Sequence, residues 1–278
     1  MRRERLTITL REDILKKVDR AINKTSIRNR SHAIEYLLEK SLSSSTNKAL
    51  ILAGGKGAQL KPLTEKTPKP LLPIGKKPLL QYQIELLKRC NVQDILILVG
   101  YLGDKIQEYF GDGSKFGVSI RYIRQPQKEI GTAYALSLAK EALGNTPFFV
   151  LYGDVLINID LDDLCSYHAG KGSVATMALT SIKSPSFYGV AHVRGEKIVE
   201  FEEKPRQDIS HVISAGVFCF APEIFDYIKG SENLHLEKDV FPQLAKEGKL
   251  GGYSFEGQWF DIGNKETYEK AVKEWERK

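Results

Sequence analysis

The sequence predicts an α/β domain on a mostly parallel mixed sheet, preceded by a small basic head. Three observations predict it. From residue 48 onward, strand-length apolar runs alternate with helix-length amphipathic stretches, the pattern of a sheet covered by helices. Gly-rich and acidic segments follow those runs, at the carboxyl ends of strands where open α/β sheets bind ligands. Charge is unevenly spread: residues 1–46 hold 11 Lys and Arg against 6 Asp and Glu, and the remainder 30 against 29. Most of the net +6 therefore sits at the front of the chain, an asymmetry expected of a segment that meets a polyanion. The Ser-rich stretch SLSSSTN at 41–47 divides the chain into domains 1–46 and 47–278.

The head opens on a strand pattern. Leu6, Ile8 and Leu10 alternate with Arg5, Thr7 and Thr9. REDILKKVDRAI follows with Ile14, Leu15, Val18 and Ile22 at helical spacing, and Ser31 is a suitable cap for a second helix carrying Ala33, Ile34, Leu37 and Leu38. About 45 residues bury little core alone, and a single strand leaves its backbone groups unpaired. Two copies pairing their strands solve both problems, so a homodimer or higher homo-oligomer is expected. Such a paired ribbon fits the major groove of double-stranded DNA, with Arg3, Arg5, Thr7 and Thr9 outward and Arg30 and Ser31 at a phosphate. RLTITL, DILKKVDRAI and NRSHAIEYLL together resemble the ribbon-helix-helix family of DNA-binding dimers.

Composition excludes several classes. With 42% hydrophobic and 27% charged residues, the chain is an ordinary globular one. Its most apolar run, ILILVGYL at 95–102, has strand length, so no membrane span is expected, and MRRERLTITL lacks the apolar core of a secretory signal. Three widely spaced cysteines, Cys90, Cys165 and Cys219, make neither a disulfide framework nor a Cys-based zinc site and fit a reducing cytoplasm.

The body begins with the strand KALILA and then AGGKGAQLKPLTEKTPKPLLPIGKKP. Gly54, Gly55 and Gly57 let backbone approach a phosphate closely and present N–H donors. No Gly-Lys-Ser/Thr follows, which excludes a P-loop, and GKGAQL lacks the third glycine of the dinucleotide fingerprint. Further on come QPQKEIGTAYAL at 125–136, LYGD at 151–154, FYGVA at 187–191, EEKP at 202–205, SAGVF at 214–218 and WFDIGN at 259–264.

In this order these segments resemble the sugar-1-phosphate nucleotidyltransferases, across residues 48–278. The resemblance implies a Rossmann-like fold of the nucleotide-diphospho-sugar transferase type. It also implies a reaction of an NTP with a sugar 1-phosphate to give an NDP-sugar and pyrophosphate. In that reaction one phosphate attacks another, so the catalyst must mask repulsion, align the groups and stabilise the leaving pyrophosphate. Asp154 and Asp261 match the family's metal positions, and paired carboxylates suit Mg²⁺ bound with phosphate oxygens. Lys69 in TPKP matches the lysine on the NTP phosphates, and Lys204 in EKP the one on the sugar phosphate. Leu52, Ala53, Gly54, Gly55, Gly57, Gln125, Gly131 and Thr132 match nucleotide-binding positions, and Gly189, Glu203 and Ser214 the sugar region.

Two positions depart from the family pattern. Where the Gly-rich loop normally continues Gly-Thr-Arg-Leu, this chain has Gly57-Ala58-Gln59-Leu60. Gln59 thus takes the place of a catalytic arginine without its charge or planar fork. Ser214 stands where asparagine is usual. The expectation is an active transferase with a DNA-binding head. The alternative is a catalytically impaired nucleotide or sugar-nucleotide sensor that regulates transcription.

Overall fold

The computed structural model describes residues 6–23, 25, 27–42, 46–126, 130–206 and 210–275. The chain forms two compact units, Met1–Ser45 and Thr46–Lys278.

In the first unit, α1 (Glu12–Ala21) and α2 (Arg30–Leu42) pack around Val18, Ile27 and Ala33. The loop between them is tied by Asn23, whose Oδ1 accepts from the Ile27 N–H at 2.9 Å. The expected cap residue is corrected. Ser31 lies inside the first turn, and Asn29 caps α2, its Oδ1 accepting from the His32 N–H at 2.9 Å. Both residue types suit an N-cap, and the loop geometry selects the earlier one. Arg30, expected at a phosphate, makes a two-pronged ion pair with Asp19 at 2.7 and 2.9 Å and so ties α2 to α1. Residues 6–10 form no strand, which follows from their having no strand beside them to pair with. Leu6 is 82% and Ile8 52% exposed, and Thr7 and Thr9 are exposed as well. Arg3 and Arg5 lie outside the described residues.

The second unit is a nine-stranded sheet with two short two-stranded antiparallel sheets beside it. In chain order its elements begin β1 (Lys48–Ala53), β2 (Pro73–Ile74), β3 (Lys77–Pro78), α3 (Leu79–Arg89), β4 (Asp94–Val99), α4 (Gly103–Phe110) and β5 (Ser119–Arg124). Then come α5 (Thr132–Ser137), α6 (Lys140–Leu143), β6 (Phe148–Tyr152), β7 (Val155–Ile157), α7 (Leu161–Lys171) and β8 (Ala175–Ser181). The chain continues with β9 (Gly189–Arg194), β10 (Lys197–Glu203), β11 (Val212–Phe220), α8 (Phe241–Lys246), β12 (Leu250–Ser254), β13 (Trp259–Asp261) and α9 (Lys265–Glu274).

The sheet runs β5-β4-β1-β6-β11-β8-β12-β10-β9. The first four strands are parallel, as the alternation of strands and helices predicts. Beyond β6 the prediction of a mostly parallel sheet needs correction: only β8 and β12 pair in parallel, and β11 and the β9–β10 hairpin run antiparallel to their neighbours. A tight hairpin forces antiparallel pairing, whereas a parallel step needs a crossover.

Both faces of the sheet are covered. Ala49, Ile51 and Ala53 of β1 face a core shared with Leu80, Ile84 and Leu87 of α3, while Leu50 faces one shared with Ala133 and Leu136 of α5. A strand buried on both sides reads as an unbroken apolar run, which is why KALILA is legible as the first central strand. The aromatics Phe148 and Phe149 of β6 and Phe218 and Phe220 of β11 are all at most 1% exposed. A third cluster joins Leu60 and Leu72 of the Gly-rich segment to Leu156 and Ile262. It fixes that segment against the antiparallel β7–β13 pair. Among the described residues no helix is long and apolar enough to cross a membrane.

Candidate active site

The carboxyl ends of β1, β4 and β6 open on a cavity of about 800 Å³. Leu52, Ala53, Gly54 and Gly55 line it from the end of β1, Gln125 from the end of β5, and Gly131 and Thr132 from the start of α5. Gly54 lets the Gln125 amide close over the end of β1: a Cβ there would lie 2.1 Å from Gln125 Oε1 and push that side chain aside. Gly57 supplies the left-handed turn at φ +62 that starts the Ala58–Leu60 3₁₀ turn, and its carbonyl accepts from Thr64 Oγ1 at 2.8 Å. Gly57 does not line the cavity, and neither does Gln59, whose side chain is exposed on that turn.

Lys69 and Asp154 face each other in the cavity wall, with the ammonium 3.0 Å from Asp154 Oδ2. Asp154 follows β6, and Asp261 ends β13. Their backbones are stitched together: Asp261 pairs with Val155, and the Ile262 N–H donates to the Asp154 carbonyl at 2.8 Å. Burial and the neighbouring Asp154 charge push the Asp261 carboxyl up to about 7, while Lys69 and Lys204 pull against that rise. The pair is therefore short of positive charge. Two hard oxygen donors in that state fit a divalent cation such as Mg²⁺. The one group of three closely spaced potential ligands among the described residues, Cys90, Asp160 and Asp162, lies elsewhere.

The residues expected at the sugar, Gly189, Glu203 and Ser214, lie at the start of β9, the end of β10 and near the start of β11. Gly189 is packed so closely that a Cβ would lie 2.3 Å from Phe201 and 3.1 Å from Glu203 Oε2. Lys204 holds a left-handed backbone at φ 51, which is uncommon outside glycine, and its N–H donates to the Tyr188 carbonyl at 3.0 Å. Its ammonium lies 3.7 Å from Glu203. Burial and nearby Glu237 raise the Glu203 carboxyl. Ser214 Oγ turns back to accept from the Gly216 N–H at 3.3 Å.

Three neighbours escape the sequence reading. Glu237 accepts from Tyr152 Oη and, at 2.7 Å, from Thr132 Oγ1, joining the end of β6 to the start of α5. It lies on a π-helical segment, Leu236–Val240, which the sequence does not signal. Tyr188 stacks edge-on against Trp259 at 5.6 Å. Residues 231–237 lie over Gly131, whose N–H donates to the Glu232 carbonyl at 2.8 Å, and Asn233 and His235 from this strap line the cavity.

Residues 48–278 match the nucleotidyl transferase family along their whole length. The chain belongs to that family. As a nucleotidyl transferase, it is 36% identical over 226 residues to the mannose-1-phosphate guanyltransferase beta-B of Xenopus laevis, a match covering 80% of this chain. It is 35% identical over 245 residues to the UTP–glucose-1-phosphate uridylyltransferase of a Synechocystis species, covering 81% of this chain. The chain spans 62% of the length of each of these two relatives. Among solved structures, a putative glucose-1-phosphate thymidylyltransferase from Bacillus anthracis in complex with sucrose superposes with TM-score 0.76 at 32% identity, over 81% of this chain and 94% of that one. The nucleotidyl transferase fold accounts for the grouping of the glycines, lysines and aspartates at one edge of the sheet.

Proposed function

We propose that the chain transfers a nucleotidyl group from an NTP to a sugar 1-phosphate, releasing pyrophosphate. The observation that carries this reading is the convergence of Lys69, Asp154 and Asp261 beside a cavity floored by glycine backbone. The relatives are named a mannose-1-phosphate guanyltransferase, a UTP–glucose-1-phosphate uridylyltransferase and a putative glucose-1-phosphate thymidylyltransferase, which supports an NTP and a hexose 1-phosphate as substrates.

Asp154 and Asp261 would hold Mg²⁺, which when bound offsets charge between the two phosphate-bearing substrates. The chain's own groups do the rest. Gly54 and Gly55 admit the NTP phosphates to the end of β1. Lys69 is held by Asp154 at the phosphate position and stabilises charge on the leaving pyrophosphate. Lys204, fixed by its backbone, meets the attacking sugar phosphate, and Glu203 and Gly189 receive the sugar. Gln59 gives no charge to this wall, which is the observation behind the alternative of a nucleotide or sugar-nucleotide sensor. Pyrophosphate release from the full chain with Mg²⁺, each of ATP, CTP, GTP, UTP and dTTP, and mannose or glucose 1-phosphate tests the choice. Metal-dependent release with one pair is expected, and nucleotide binding with no release from any pair would leave the sensor.

The head supports a second reading: a homodimer that grips double-stranded DNA. Among its described residues Leu6, Ile8, Tyr36 and Leu38 are exposed, while the buried apolar cluster is Val18, Ile27 and Ala33. That surface is explained by a second copy that pairs with residues 6–10 and covers it. Arg5, Thr7 and Thr9 are left for the DNA, Arg30 being engaged by Asp19. A reducing, cytoplasmic setting belongs to the same proposal. The full chain is expected to sediment as a dimer and to retain duplex DNA. Leu6→Asp with Ile8→Asp should give monomers that retain none, and a monomeric wild type would end this reading.

A further inference from the structure

We infer that Gln83 is a positioning residue for the metal-dependent transfer: from α3, its side-chain amide sets the turn that presents Asp154. The inference rests on the transferase reading above and extends it to a residue outside the site. Gln83 is 1% exposed, in a helix whose other buried residues, Leu79, Leu80, Ile84, Leu86 and Leu87, are apolar. Its Nε2 donates to the Tyr152 carbonyl at 2.8 Å and to the Val155 carbonyl at 2.7 Å. These two carbonyls bracket Gly153 and Asp154, so one amide clamps both ends of the turn between β6 and β7.

The orientation of the amide is forced. Turned the other way, its oxygen would face two carbonyl oxygens. As it stands, Oε1 is buried and meets no protein donor. Both donors of the amide are thereby kept on this turn, and an apolar residue in the same space would leave the Tyr152 and Val155 carbonyls without this donor.

The turn is fixed from two other directions by backbone alone. Gly153 N–H donates to the Leu52 carbonyl at 2.9 Å, and the Asp154 carbonyl accepts from Ile262, next to Asp261. Gln83 supplies a third tie to the backbone of the turn, made by a side chain, while Lys69 holds the Asp154 carboxylate itself at 3.0 Å. Removing it frees the Asp154 carboxylate to shift against Asp261 while the strands stay paired. Groups that orient a metal ligand in this way change affinity or activity by about 10–100-fold.

The test compares Gln83→Met and Gln83→Asn with wild type in the full-length chain. Mn²⁺ binding, followed by electron paramagnetic resonance with a non-hydrolysable NTP analogue, is read beside the Mg²⁺ dependence of pyrophosphate release. Both variants are expected to weaken Mn²⁺ binding, raise the half-saturating Mg²⁺ and lower kcat, each by about 10–100-fold, while KM for the NTP at saturating metal stays within about twofold. A residue that only fills the core would lower the melting temperature and leave these quantities where they were. Mn²⁺ binding within about twofold of wild type in a folded variant overturns the inference. If Gln83→Met does not fold, Gln83→Asn decides, because it removes one methylene and keeps the amide. A wild type that binds Mn²⁺ but releases no pyrophosphate defeats the transferase reading instead, and the Mn²⁺ affinities of the variants still decide the role of Gln83.

Discussion

Asp154→Asn is expected to lower metal-dependent pyrophosphate release by ~10²–10³-fold or more, with little change in melting temperature. The substitution keeps the shape of the side chain and the backbone ties of the turn to Leu52 and Ile262. It removes a charge that Lys69 meets at 3.0 Å and that Asp261 feels strongly. Two consequences separate this loss from simple damage. In wild type the Asp261 carboxyl is held up near 7 by burial first and by Asp154 second. With Asp154 neutralised, the second cause vanishes, so the Asp261 titration followed by carbon-detected NMR should move to lower pH. In wild type, cation binding must displace the proton that Asp261 carries below its raised pKa. Binding should therefore tighten as pH rises toward and through about 7 and weaken below it. Wild-type turnover from D154N would remove Asp154 from the metal role.

Gly131→Ala is expected to raise the KM for the NTP by about tenfold or more, with a smaller effect on kcat. Gly131 has an ordinary φ of −72, so the argument is one of space alone. A Cβ would sit 2.0 Å from the Leu234 carbonyl oxygen, 2.5 Å from its carbon and 2.8 Å from the Asn233 carbon. These are backbone atoms that no side-chain rotation moves aside. The strap over the cavity must lift, breaking the bond from Gly131 N–H to the Glu232 carbonyl and drawing Thr132 away from Glu237. Overpacking of this kind costs about 1–3 kcal/mol, which lowers the melting temperature of a domain this size by several degrees. An NTP KM within about twofold of wild type would show that the strap does not shape the nucleotide pocket.

Much of the site was legible because its chemistry is local. Gly54, Gly55 and Gly57 follow one strand, Lys69 lies between two prolines, Asp154 sits in the turn after β6 and Asp261 ends β13, so short segments carry the pattern. The capping of α2 was legible as a position but not as a residue: Ser31 and Asn29 have equal chemical claims, and only the loop held by Asn23 decides for Asn29. Gln59 was expected in the wall and lies exposed on the 3₁₀ turn, because the path of the loop after Gly57 depends on the packing of Leu60 with Leu72 and Ile262.

By itself the sequence determined the two units, the parallel first half of the sheet, the order of the candidate-site segments and the residue types gathered there. These follow from periodicity, from the limits on glycine and from charge, which act over a few residues. Only the tertiary structure decided that the second half of the sheet is largely antiparallel. It also decided that Glu237 meets Thr132 across 105 positions and that a buried amide on α3 clamps the turn of Asp154. Those contacts join segments whose partners are chosen by the closing of the whole core, and no local pattern encodes a partner so far along the chain.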